Sequence, residues 1–313
     1  MSNFTNFAIR YEYERIAELG DKLGEVEKLI DWEAFRPFLT GLYSNNTEKG
    51  GRPNLDEILM LKMLILQQWH GLSDPELERQ ANDRISFRQF LGFPDKIPDR
   101  STIWAFRERL SLSGKDKDIW NELQRQLDAK GLTIKKGMIQ DATFIHSDPG
   151  HASSDTPRGE EAKTRRSKDG TWTKKGGTSH FGFKLHAIID REYDLIRRVC
   201  TTTASVHDSQ IDLSEEGEVV YRDRGYQGAK CKGYDATMKR GARGHPIGIR
   251  DKLRNERISR KRTKGERPFA VIKSVFTSGT VRVTELGRVR VKNMFSAFSY
   301  NLYQLRTIEK QSL

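Results

Sequence analysis

Cysteine is nearly absent: Cys200 and Cys231 are the whole supply in 313 residues, and no Cys-x-x-Cys pair occurs. That excludes a disulfide framework or a zinc finger and fits a reducing compartment. The seven histidines have no cysteine partners at zinc spacing. Long apolar runs are missing as well. The longest, Leu59 to Leu66, is short and broken by Lys62, so no membrane span is expected. Met1 to Gly20 carries glutamates and has no apolar core segment, so it does not read as a signal peptide. Internal repeats and low-complexity tracts are lacking too. These absences describe an intracellular, cytoplasmic protein with no membrane partner.

What is present is charge, mostly positive. Lys and Arg number 55 against 43 Asp and Glu, a net charge of +12. Such a balance favours polyanions through counterion release. The excess is uneven. Residues 1–50 hold 6 basic against 9 acidic side chains, whereas residues 251–313 hold 15 against 5. A polyanion-binding surface is therefore expected to include the C-terminal part. A solvated basic face is the plainer alternative.

The first 130 residues read as helices. Ile16, Leu19, Leu23, Val26, Leu29 and Ile30 recur at helical spacing, and so do Leu55, Ile58, Leu59, Met63 and Leu66 after the Gly50-Gly51-Arg52-Pro53 break. Ser73-Asp74-Pro75-Glu76 has the form of a capping box, with Glu76 reaching back to Ser73. Pro98-Asp99-Arg100-Ser101-Thr102 opens a further helix, and Asp118 to Lys130 makes another. Short helices with tight turns fit a helix-turn-helix region, in which Arg100, Ser101, Thr102, Arg107 and Arg109 would meet DNA. An ordinary helical bundle fits equally.

Near Lys135 the pattern changes to strands: Gly137–Ile145, His180–Asp190, Asp194–Thr203 and Val219–Asp223. Between the first two lies a polar loop, Ser147 to Ser179, which carries Lys163, Arg165, Arg166, Lys168, Lys174 and Lys175 around Trp172. Such a loop either tracks phosphates and stacks on an unpaired base or is a solvated insertion. Helix returns from Arg260. Met294, Phe295, Phe298, Leu302 and Leu305 form an apolar stripe that reads as core.

Three acidic residues stand out. Asp141 and Asp223 each end an apolar run, and Glu266 lies in the basic segment from Arg260 through Arg267. Adjacent strand ends could bring the two aspartates together despite their separation in sequence. With a helical glutamate they could hold two divalent metals against a phosphodiester. Glu266 and Lys273 are seven residues apart, two helical turns, so they are expected to share a face. Pro268 belongs in a first turn, so the helix should begin near Gly265 or Glu266, with Arg262 before it.

These motifs resemble those of a DDE transposase, specifically the insertion-sequence-five family of the insertion-sequence-four superfamily. The likeness runs through Gly51–Leu110, Asp141-Ala142-Thr143, Lys168 to Lys175, Phe181 to His186 and Asp223-Arg224-Gly225-Tyr226. The superfamily signature is tyrosine, two residues, arginine, three, glutamate, six, lysine. Arg262, Glu266 and Lys273 fit it, and Ser259 stands where the tyrosine would be.

The resemblance implies an α/β fold: an RNase H-like mixed-sheet catalytic domain, residues 133–313, preceded by an all-helical N-terminal domain, residues 1–132, for DNA binding or dimerisation. It implies Asp141, Asp223 and Glu266 as ligands of two Mg²⁺ ions, with Mn²⁺ able to substitute. Arg262 and Lys273 would contact the element's end, helped by Arg260, Lys264, Trp172, Lys174 and Lys175. His207, Asp208 and Tyr226 would support the site. The partners would be duplex DNA, both terminal inverted repeats and target, and a second copy on paired ends, in the nucleoid. A nuclease that cuts without joining, and a DNA-binding protein that has lost catalysis, are the other readings.

Overall fold

The computed structural model describes residues 4–43, 53–150 and 167–312. Gly50, Gly51 and Arg52, and the loop cations Lys163, Arg165 and Arg166, lie outside them. The chain divides into two compact units, Met1–Gly131 with Met294–Leu313, and Leu132–Asn293. Residues 294–313, expected with the second domain, thus belong by compactness to the first.

Among its described residues the first unit is helical: α1 (Phe4–Glu18), α2 (Lys22–Glu27), α3 (Arg36–Leu39), α4 (Glu57–His70), α5 (Asp74–Asp83), α6 (Ile85–Phe90), α7 (Arg100–Ser113) and α8 (Asp116–Ala129). The helix expected over residues 16–30 is broken. Gly20 takes φ +91° and Asp21 caps α2, accepting a hydrogen bond from Leu23 N. Helix α4 is buried from Ile58 to Trp69. Lys62, which interrupts its apolar run, bonds Glu27 at 3.2 Å and lies over the rings of Trp32 and Phe90. A buried cation is tolerable with a carboxylate partner and aromatic faces around it.

Two capping expectations resolve differently. Ser73 does accept from Glu76 N, at 3.4 Å, but the Glu76 carboxylate turns to Arg79 and Gln80 instead of reaching back. Asp99 caps α7 through Thr102 N at 2.8 Å. Arg107, expected to face DNA, is committed inside the unit, bonding Asp74 at 2.8 and 2.9 Å.

The second unit is built on a sheet: β1 (Met138–Ser147), β2 (Thr171–Lys175), β3 (Thr178–Asp190), β4 (Ile196–Thr203), β5 (Val219–Arg222), β6 (Tyr234–Thr237) and β7 (Thr280–Val281). Its path is β2-β3-β1-β5-β6, with β4 also on β3 and β7 on β1. β1 pairs antiparallel with β3 and parallel with β5. This is the mixed-sheet α/β, RNase H-like arrangement that the resemblance implies. Alternation along β1 feeds two cores. Met138 packs with Ile188 and Val220 on one face, and Ile139 with Tyr221 and Ile258 on the other. Ile258 belongs to α9 (Ile249–Arg262), which is followed by α10 (Glu266–Ala270) and α11 (Leu286–Ser312). Helix therefore returns at Ile249, earlier than expected. α9 is easily overlooked because it is so charged: of its apolar residues Ile249, Leu253 and Ile258, Ile258 alone is buried.

The end of the expected Ser147–Ser179 loop is ordered as a hairpin. Gly176 and Gly177, at φ +56° and +85°, join β2 to β3 as the left-handed pair a tight turn requires. Gly182 sits at φ +138° in β3, where an added Cβ would run into the Ile145 carbonyl. Gly177→Ala is expected to cost about 1 kcal/mol from backbone conformation alone. Gly182→Ala should cost at least twice as much, because two strands must part. Urea unfolding midpoints check this; equal shifts for the two variants would contradict the packing.

Candidate active site

The β1–β5 register sets the site. Met138 pairs with Val220 and Ile139 with Tyr221. Continued two residues, that register brings Asp141 level with Asp223, just beyond the end of β5. Asp223 is still extended, at ψ −179°, so alternation keeps both aspartates on the face of Ile139 and Tyr221. Asp223 caps a short turn, its Oδ1 accepting from Gly225 N at 2.8 Å. Asp141 Oδ1 accepts from Ala142 N at 2.8 Å, and its Oδ2 accepts from Arg262 Nη2 at 3.0 Å.

Burial raises the pKa of Asp141 above the usual carboxylate value. Arg262 and the Ala142 N–H oppose this, while the nearby charges of Asp223 and Asp208 add to it. Asp208 opens a short turn and is held by Lys184, whose Nζ donates to it at 2.8 Å and to the Val206 carbonyl at 2.7 Å. Tyr226 is buried, 1% exposed, and its hydroxyl has no hydrogen-bond partner among the described residues. Its pKa is pushed up by burial first and then by Asp208, Asp141 and Asp223. Three carboxylates and one buried phenol thus feel one another.

Glu266 lies on the same side. Gly265 presses on Ile139 so closely that a Cβ would come within 2.6 Å of Ile139 Cγ2. Glu266, the next residue, is exposed at the start of α10. Among the described residues no three His, Cys, Asp or Glu side chains gather closely enough to hold a metal ion. The structure therefore sets Asp141 beside Asp223 and places Glu266 on their side without closing a three-carboxylate set. The donor chemistry nevertheless suits a hard divalent cation. Carboxylate oxygens crowd together, one of them resists ionisation, and a guanidinium neutralises it.

The expected DNA contacts divide. Arg260 is exposed on α9. Lys264 is paired with Asp194 at 3.6 Å, alongside Arg267 at 3.5 Å. Lys273 is half-buried, and its pKa is lowered by burial and by Lys175. The even two-turn spacing of Glu266 and Lys273 is not met, because Val271–Val275 form a π turn that widens the helix between them. Ser259 is exposed. Trp172 is 51% exposed and leans on Phe181 at 5.2 Å, with Lys174 and Lys175 exposed beside it on the hairpin.

In the first unit Arg100 and Ser101 are exposed at the start of α7. Arg100 N donates to Glu78 at 2.9 Å, and Thr102 N is taken by Asp99. His207, expected to support the site, caps its own turn through Ser209 at 2.7 Å. Lys184 was not singled out from sequence. Its signal was a lysine inside an otherwise buried strand, which demands an acidic partner.

Two family comparisons match. Residues 11–109 match the Transposase domain (DUF772), and residues 133–302, more than half of the chain, match the Transposase DDE domain. No solved structure matches. No helix among the described residues is long and apolar enough to cross a membrane. With Asp141 in β1 level with Asp223 past the end of β5 on a mixed sheet, and a DDE-domain match over more than half of its length, the chain belongs to the DDE transposase family.

Proposed function

We propose that this chain is the transposase of an insertion sequence of the insertion-sequence-five family, within the insertion-sequence-four superfamily. It hydrolyses the phosphodiester at the element's ends and uses the freed 3′-hydroxyl to attack target DNA. The observation that supports this reading is that Asp141, inside β1 instead of at its end as expected, stands level with Asp223 just past the end of β5, on the sheet face that packs against the basic helix α9.

Asp141, Asp223 and Glu266 would hold two Mg²⁺ ions, or Mn²⁺ in their place. Such ions activate the attacking oxygen and stabilise the departing one. Arg262 orients Asp141 and partly offsets the burial that opposes its ionisation, and it lies where a strand phosphate can recruit it. Arg260, Lys174 and Lys175 are exposed and hold the backbone of the terminal repeat, with Lys273 at the edge. Trp172 offers a stacking face. Arg100 and Ser101 add contacts from the helical unit, at the capped helix start that Thr102 completes. Joining two ends calls for two active sites, so the working form is a homodimer on paired ends, acting at the nucleoid.

Asp141→Ala and Asp223→Ala are each expected to lower cleavage and joining at least about a thousand-fold, roughly 4 kcal/mol of barrier. Duplex binding should persist. The assay uses the DNA flanking the gene, a supercoiled target and Mg²⁺; undiminished cleavage by either variant would remove the assignment.

Metal binding has a separate readout. The raised pKa of Asp141 means that its ionisation opposes folding. Its contribution is most favourable below the unfolded carboxylate pKa and is lost as pH rises through the higher folded value. A bound cation should restore it. At pH 7.5, Mn²⁺ at about a hundred times its Kd should stabilise the protein by about 2.7 kcal/mol. Asp223→Asn should abolish the shift. Equal thermal shifts in variant and wild type would place the ion elsewhere.

A further inference from the structure

We propose that His146, His180, Lys175 and Lys273 form a phosphate-binding site at the edge of the sheet, and that the two histidines make its hold on DNA depend on pH. The proposal rests on the reading of DNA as substrate, and it joins Lys175 and Lys273 to two histidines to which that reading gives no role.

The site follows from the strand register. His146 stands opposite Gly182, where no side chain fits, so β3 leaves it uncovered at that position. His180, two residues earlier on the same face, reaches across instead. Its ring lies 5.3 Å from that of His146 and stacks on Phe144 at 4.8 Å, nearly parallel at 11°. From β2, Lys175 Nζ lies 5.7 Å from the centre of the same Phe144 ring. From the π turn, the stem of Lys273 lies against Gly279, whose carbonyl accepts from His146 N at 2.9 Å. Four separate chain segments therefore deliver cationic or proton-accepting groups to one place.

No carboxylate answers them. Among the described residues none of the four makes an ion pair. Lys184, on the same face, lies 5.3 Å from the Phe144 ring centre and is already neutralised by Asp208. The groups instead oppose one another. Burial, His180 and Lys273 hold the His146 pKa below its usual value, and burial and Lys175 do the same to Lys273. Unanswered like charges are unfavourable until an anion enters, and a phosphate oxyanion supplies the missing charge. His186 shows the contrasting structural case. It is fully buried, bonded to Thr202 at 2.8 Å and pushed down to about 4 by burial, so it stays neutral. His146 is covered on one side but keeps an open side to solvent, and among the described residues it bonds no side chain. Anion binding raises a histidine's affinity for a proton, so the site grips more tightly as pH falls through the histidine range.

The test measures binding of the full chain to duplex DNA flanking its gene, in EDTA, from pH 6 to pH 8 and over a range of KCl. Wild type is expected to bind about tenfold more tightly at pH 6 than at pH 8. In His146→Gln/His180→Gln that ratio should fall to about twofold. Lys175→Gln, a change on an exposed side chain, should flatten the slope of log affinity against log salt by about 0.9, one phosphate contact. A double variant that follows wild type at every pH, or an unchanged salt slope in Lys175→Gln, would overturn the site while leaving the transposase reading standing. Wild type that binds no DNA under any of these conditions would overturn both.

Discussion

Two like charges held side by side set the terms for the second unit. Parallel pairing of β1 with β5 aligns Asp141 with Asp223, and strand alternation turns both to the same face. Uncompensated, that arrangement is unfavourable, and each neighbour can be read as a response to it. Arg262 reaches Asp141 from the end of α9. Backbone N–H groups of Ala142 and Gly225 each take one carboxylate oxygen. Lys184 ties Asp208 so that a third carboxylate can stand nearby. The buried Tyr226 hydroxyl faces this negative field as a donor without an acceptor of its own. A fold that only needed stability would place apolar side chains here.

The helices bring positive charge to that field and separate structural cations from available ones. Ile258 anchors α9 to Ile139 and Tyr221, and Gly265 lets the chain close onto β1. Net charge alone would suggest a broadly basic surface, yet many cations are already committed. Lys264 and Arg267 answer Asp194, Lys261 bonds the Tyr221 hydroxyl at 3.0 Å, and Arg107 holds Asp74. Among the described residues, those left open to a polyanion include Arg250, Lys252, Arg257 and Arg260 on α9, Lys174 and Lys175 on the hairpin, and the His146–Lys273 edge.

Much of this was legible in the sequence because it depends on local periodicity. β3 announces itself by apolar alternation, β1 and β5 by short apolar runs, α4 by helical spacing, and α5 and α7 by their opening residues. The hairpin strand β2 was hidden because Trp172 is the one apolar residue from Thr171 to Lys175, too few to show alternation; the Gly176-Gly177 pair was its turn signal. α9 was hidden by its charge. The π turn at Val271–Val275 cannot be read from residue spacing, so the face shared by Glu266 and Lys273 was an overextension of α-helical geometry. The roles of Lys184 and of the His146–His180 pair depend on which strands are neighbours, which periodicity within a strand does not encode.

The central claim is that Asp141 and Asp223 form a cation site in place of the contact with Arg262. Anomalous diffraction from crystals grown with Mn²⁺ tests it most directly. The account predicts a manganese peak between the two carboxylates, with the Arg262 guanidinium withdrawn from Asp141. Crystals that take up Mn²⁺ elsewhere, or that keep Arg262 on Asp141 with no peak between the aspartates, would contradict it.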